Sequence, residues 1–229
     1  TETQRTTAMT PLNFLIACLS AIGCLMHAAL SPSHAQNIAN SSGVVYGVYF
    51  VGSDFEDLDP HWEAKMQTAM ELLADFYGDQ MALNGFPNRT FRMERGPNGR
   101  PIVHFVRGRS RSQVYGGTSD TYHRIKSELR APFRLNVNAV AVMTPGAPSL
   151  GGNSLGLTND WLSHTGRNRE EQLEIFCDET PELDAEYGWQ TRGQRASLHL
   201  GGFAHELGHV FGLNHSQIRS DLMSAGFWG

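Results

Sequence analysis

The chain has 229 residues, with 18 basic and 23 acidic side chains and a net charge of −5. That modest negative charge argues against a nucleic-acid partner, which selects basic surfaces. No repeat or long low-complexity tract interrupts the sequence, and its length suits one domain with a sizeable core.

Residues 11–30 are mostly apolar, broken by Asn13, Ser20 and His27, and Ser31, Pro32, Ser33, His34 and Ala35 follow. Small side chains at 33 and 35 suit signal peptidase, and Pro32 breaks the preceding helix. Residues 1–35 therefore read as a secretory signal cleaved after Ala35, with the product secreted to an extracellular or periplasmic space. Arg5 is the only basic side chain ahead of the apolar run. An uncleaved anchor is the alternative, because about 20 apolar residues span a bilayer, and only then is a membrane a partner. A lipoprotein at Cys24 fits less well, since the apolar stretch continues past it. Cys18 and Cys24 leave with the signal, so Cys177 is unpaired, either as a buried apolar thiol or as a reversible zinc blocker. Few residues separate the cleavage site from the first strand, too few for a folded pro-domain. Asn40 and Asn88 open glycosylation patterns that matter only in a eukaryotic secretory pathway.

Residues 36–229, about 190 in number, form the one expected domain. Residues 44–51 are β-branched and aromatic, a strand with a bulge or close approach at Gly47. Asp59 is placed to cap a helix with Pro60 at its first position. Trp62, Met66, Met70, Leu73 and Phe76 then recur at helical spacing as a core-facing stripe, until Asn84 and Gly85 end it. Residues 90–94 and 101–106 read as two strands joined by a turn at 96–99. Arg107, Arg109 and Arg111 make either an anionic-ligand patch or a solvated loop. A shorter helix is expected at 120–129, a strand at 136–143, and a loop at 145–159 with a short edge strand at 154–158. The last helix is expected to start near Ser197 and finish at Gly212. Periodicity alone supports α+β or α/β. His61, His104, His123, His164 and His199 show no metal-ligand spacing to one another, and a second, structural zinc or calcium is left open.

That last helix carries H-E-x-x-H-x-x-G-x-x-H at residues 205–215. His205 and His209, four apart, share one helical face and can grip one metal ion. His215 supplies a third nitrogen if the chain turns back, and Gly212 can take the left-handed conformation that such a turn needs. Three protein ligands leave a fourth tetrahedral position for water, which marks a catalytic site rather than a closed structural one. Glu206 is offset by about 100° from His205, out of line for a ligand and placed to take a proton from that water. A chance match in a chain this long is on the order of one in 10⁵, so a zinc site outweighs a helix with merely buried histidines.

This pattern resembles the signature of the metzincin clan of zinc endopeptidases. Asp221, Leu222, Met223 and Ser224 stand where those enzymes carry a Met-turn. His215-Ser216, the five residues before Leu222, and the apolar helix lead-in at 198–204 resemble most the matrixin branch. The resemblance implies an α+β zincin domain: a twisted mixed sheet, a backing helix, a zinc-binding active-site helix and a short C-terminal subdomain. It also implies one catalytic Zn²⁺, a protein or peptide substrate, and Met223 as a non-ligating floor beneath the metal. By its residue type alone, Met223 is a flexible core filler. No Cys-bearing pro-segment and no His- and Asp-rich structural-metal stretch is recognisable, and only Ser224, Ala225, Gly226, Phe227, Trp228 and Gly229 follow Met223. The lower subdomain is thus minimal or the product is truncated, and the close resemblance covers residues 197–224. The expected function is a secreted zinc endopeptidase with Glu206 as general base. The alternatives are a zinc hydrolase of a non-protein amide, such as one in a cell-wall polymer, or a degenerate zinc-binding interaction module.

Overall fold

The computed structural model describes residues 43–117, 120–161, 167–176, 191–218 and 221–224. The signal segment 1–35, Asn40, His164 and Cys177 lie outside them. Ten elements run in chain order: β1 (Val45–Val51), α1 (Trp62–Leu83), β2 (Val103–Arg107), α2 (Ser112–Tyr115), α3 (Asp120–Leu129), β3 (Ala139–Thr144), β4 (Leu150–Gly152), β5 (Leu155–Asn159), α4 (Arg169–Phe176) and α5 (Arg192–Val210). The strands form one mixed sheet in the order β2-β1-β3-β5-β4. The first four of these pair in parallel, and β4 closes the far edge antiparallel to β5.

β1, β3 and β5 read as near-continuous apolar runs because parallel strands are covered on both faces. One face packs Tyr49, Ala141 and Met143 against Met66, Met70 and Leu73 of α1 and Phe203 and Leu207 of α5. The other packs Val48, Phe50, Val140 and Val142 against Ile125 and Leu129 of α3, Tyr115 and Phe133. The mixed α+β architecture is therefore as expected, with α1 and α5 sharing one side. No described helix is long and apolar enough to cross a membrane.

Several local expectations hold. α1 ends at Asn84, and Gly85 takes φ +79°. Gly47 is a close approach rather than a bulge: a Cβ there would lie 3.1 Å from Met70 Cγ, and β1 keeps unbroken register with both neighbours. The start of α1 differs slightly. The Asp59 carboxylate accepts the His61 amide at 2.7 Å over a tight turn, and the α-helix proper begins at Trp62.

Other expectations are corrected. Residues 90–94 form no strand; Met93 and Arg95 make isolated bridges to Val45 and Pro101, and the 96–99 turn survives with Gly99 N–H bonding the Gly96 carbonyl at 2.9 Å. The strand expected from 136 starts at Ala139 instead. Asn138 spends its side chain on a turn, donating to the Phe133 carbonyl at 2.9 Å and accepting the Val44 amide at 3.2 Å. Residues 155–159 are an interior strand, and the edge is the short Leu150–Gly152, whose glycines look like loop. α5 begins five residues before Ser197, at Arg192, and ends at Val210. Of the three arginines at 107–111, Arg107 donates its guanidinium to the carbonyls of Gly52, Ser53 and Phe55 and ties that loop down.

Candidate metal centre

A capping box starts α5. The Gln194 amide donates to Thr191 Oγ1 at 3.1 Å while the Thr191 amide donates to Gln194 Oε1 at 3.0 Å, so two otherwise orphaned donors are satisfied. The helix stops in a Schellman turn. Leu213 N–H bonds the Gly208 carbonyl and Gly212 N–H the His209 carbonyl, both at 3.0 Å, with Gly212 at φ +85°. This turn reverses the chain and brings His215 back over the helix.

The reversal assembles three imidazoles. His209 Nε2 lies 3.2 Å from His205 Nε2 and 3.1 Å from His215 Nε2. His205 Nδ1 donates to the Leu222 carbonyl at 2.7 Å and His209 Nδ1 to the Leu213 carbonyl at 2.9 Å. A carbonyl only accepts, so each Nδ1 carries the proton and each Nε2 presents a lone pair. Two such lone pairs cannot bond each other; they call for a shared cation. Nitrogens held 2.0–2.1 Å from one tetrahedral zinc stand about 3.3 Å apart, close to both measured separations. Among the described residues this is the one group of three metal-ligating side chains. All-imidazole donors with orienting carbonyls behind them suit zinc.

Glu206 follows the first histidine on α5 and is buried against the sheet edge. A Cβ on Gly151 would lie 2.7 Å from its Oε2, so the carboxylate rests against β4. Burial pushes this carboxyl up to about 7. Burial and the two neighbouring rings hold His205 below the usual imidazole range, although the Leu222 carbonyl works the other way. Met223 is buried under α5, where a Cβ on Gly208 would come within 3.2 Å of its methyl group. Ser216 ties the third histidine's segment to this turn: its amide donates to the Met223 carbonyl at 2.9 Å and its hydroxyl to Asp221 at 2.5 Å. Of the residues expected at the site, the structure brings His205, His209 and His215 together. His104, by contrast, pairs with Glu94 at 2.9 Å, and His199 stacks on Trp161, both away from the triad.

No family model matches this chain, and no curated protein does. Solved structures match it. Wild-type OgpA from Akkermansia muciniphila aligns with 82% of this chain at TM-score 0.65 and 20% identity.

The fold is similar to that of part of OgpA.

A catalytically inactive OgpA in complex with an O-glycopeptide (glycodrosocin) substrate gives TM-score 0.64 at 19% identity over 82% of this chain. A second crystal form of the wild type gives 0.60 at 21% over 77%. The chain spans about half the length of OgpA, 55% in the first two structures and 50% in the third. The expected mixed α+β architecture is therefore shown, while the metzincin and matrixin-like character rests on the motif and the Met-turn sequence.

Three contributors to this site were not read from the sequence. Gly151 and Gly156 let α5 sit directly on the sheet, since a Cβ at Gly156 would come within 3.1 Å of the Glu206 carbonyl. Glycine inside a strand marks such a close approach, but here the Gly-rich run reads as loop. Tyr77, half-buried behind α5, donates its hydroxyl to the Ala204 carbonyl at 2.7 Å, and no local pattern announces it.

Proposed function

We propose that this chain is an exported zinc endopeptidase. The observation that carries the reading is the three-imidazole cluster, with two tautomers locked by backbone carbonyls, on the same helix as a buried carboxylate packed against β4. His205, His209 and His215 would hold the metal through Nε2. Zinc, when bound, supplies a Lewis acid that polarises the scissile carbonyl and acidifies water. Glu206 takes the proton of the attacking water and returns it to the departing amine. Among the described residues β4 is the edge strand, and an extended peptide can add to its outer rim. Gly151 and Gly152 have no side chains to hold that peptide away. Export is supported by the apolar segment and small-residue exit at 11–35.

The test is mass-spectrometric profiling of zinc-loaded protein on a diverse peptide mixture, with and without O-linked sugars because OgpA holds an O-glycopeptide. Internal cuts are expected. Glu206→Ala should keep its zinc and lose about 10²–10⁴-fold in turnover, whereas His209→Ala should lose the metal. Comparable cleavage by Glu206→Ala would remove the proposed base. A folded, zinc-loaded sample that cuts no peptide points to a non-protein amide or to a binding module.

A further inference from the structure

A recess of about 450 Å³ opens between α3 and the β4–β5 turn, on the sheet face opposite α1 and α5. His123, Lys126, Ser127 and Arg130 line it at the i, i+3, i+4, i+7 spacing that elsewhere builds a core stripe. Asn136 and Asn153 add amide groups, and the lining contains no carboxylate. Lys126 Nζ donates to the Asn153 carbonyl and, at 3.3 Å, to the Tyr122 hydroxyl. Burial and the neighbouring Arg130 hold its ammonium below the usual lysine range. In a chain of net charge −5, such a cationic lining favours an anionic ligand.

Only β4 separates this recess from the active-site carboxylate. Gly151 faces Glu206, and the next residue faces the other way: a Cβ on Gly152 would lie 2.9 Å from the Tyr122 hydroxyl. Asn153 then gives its carbonyl to Lys126. At about 3.3 Å per residue, that carbonyl is roughly 7 Å along the chain from Gly151, within reach of a peptide lying on β4. We propose that the recess is an anion subsite of the cleft, which receives a carboxylate or sulfate borne by the substrate near the scissile bond. This rests on the peptidase reading above. The acidic group can belong to a peptide side chain or to an acidic sugar attached to it.

Two measurements test it. In the first, zinc-loaded protein is titrated with sodium sulfate against sodium chloride at equal ionic strength, followed by backbone amide shifts. Saturable shifts confined to α3 and residues 153–154 are expected; shifts that are absent, or equal in both salts, overturn the subsite whether or not the protein cleaves peptides. In the second, kcat/KM is compared for matched substrates carrying a neutral residue, a glutamate or an acidic sugar at each position flanking the cut. A preference of about fivefold for one acidic form is expected, and which form wins identifies the source. Arg130→Gln and Lys126→Gln should bring the ratio to about one, and Lys126→Arg should restore it. A wild-type ratio of one with sulfate bound would overturn the substrate role. If no peptide is cut at all, the peptidase reading fails, taking the substrate role with it, and the sulfate titration alone decides whether the recess binds anions.

Discussion

At Gly151 a single missing side chain makes room for the group proposed to move protons. The three atoms nearest a Cβ built there all belong to Glu206, with Oε2 at 2.7 Å and Cα at 2.9 Å. Helix or strand must shift to accept even a methyl group. Gly151→Ala is therefore expected to lower kcat/KM by about tenfold or more, because ångström-scale displacement of a catalytic group is costly. Zinc content should be unchanged, and metal analysis beside the kinetics checks both halves. Full activity in Gly151→Ala would show that the Glu206 position tolerates displacement. The histidines were legible because their spacing is local. The glycine was not, because its partner lies 55 residues away in the chain, from 151 to 206.

α5 is held at both ends by signals written in neighbouring residues. The capping box needs only Thr191 and Gln194, and the Schellman stop needs only Gly212 in its left-handed conformation. Thr191→Ala removes the acceptor for the Gln194 amide and is expected to cost about 1 kcal/mol, read as a lower urea midpoint with unchanged slope. An unchanged midpoint would mean that tertiary packing, not the cap, starts the helix. Gly212 was read as the turning residue and is, although the helix ends two residues earlier, at Val210. The start was missed although Thr191-x-x-Gln194 is a recognised box, because the apolar run that draws attention begins later, at Leu198. β5 was misplaced for a different reason: whether Leu155–Asn159 is edge or interior depends on β4, and three residues with two glycines do not announce a strand.

For the molecule as a whole, the Asp59–Lys65 pair anchors the segment between β1 and α1. Lys65 is 4% exposed, and its ammonium meets the Asp59 carboxylate at 2.5 Å. Burial pushes that carboxyl up, but the Lys65 ammonium and the His61 amide outweigh it and leave it below the usual carboxylate range. A depressed folded-state value means that the pair's contribution is complete above the ordinary carboxylate range. It is lost as pH falls through the depressed value. Asp59→Asn should cost on the order of 2 kcal/mol at neutral pH, and the gap in melting temperature from the wild type should close on acidification. A gap independent of pH would assign the loss to packing instead of charge.

The sequence by itself determined what short-range geometry can encode: the spacing of the three histidines, the glycine that turns the chain after them, and the apolar stripe of α1. Each depends on residues within a few helical turns, so the periodicity of the backbone makes it visible. Tertiary structure alone decided the strand order, the seat of Glu206 against Gly151, the Tyr77 support behind α5 and the cationic recess behind β4. Those contacts join residues separated by tens to more than a hundred positions, and no local period records which distant surfaces will meet once both faces of the sheet are buried.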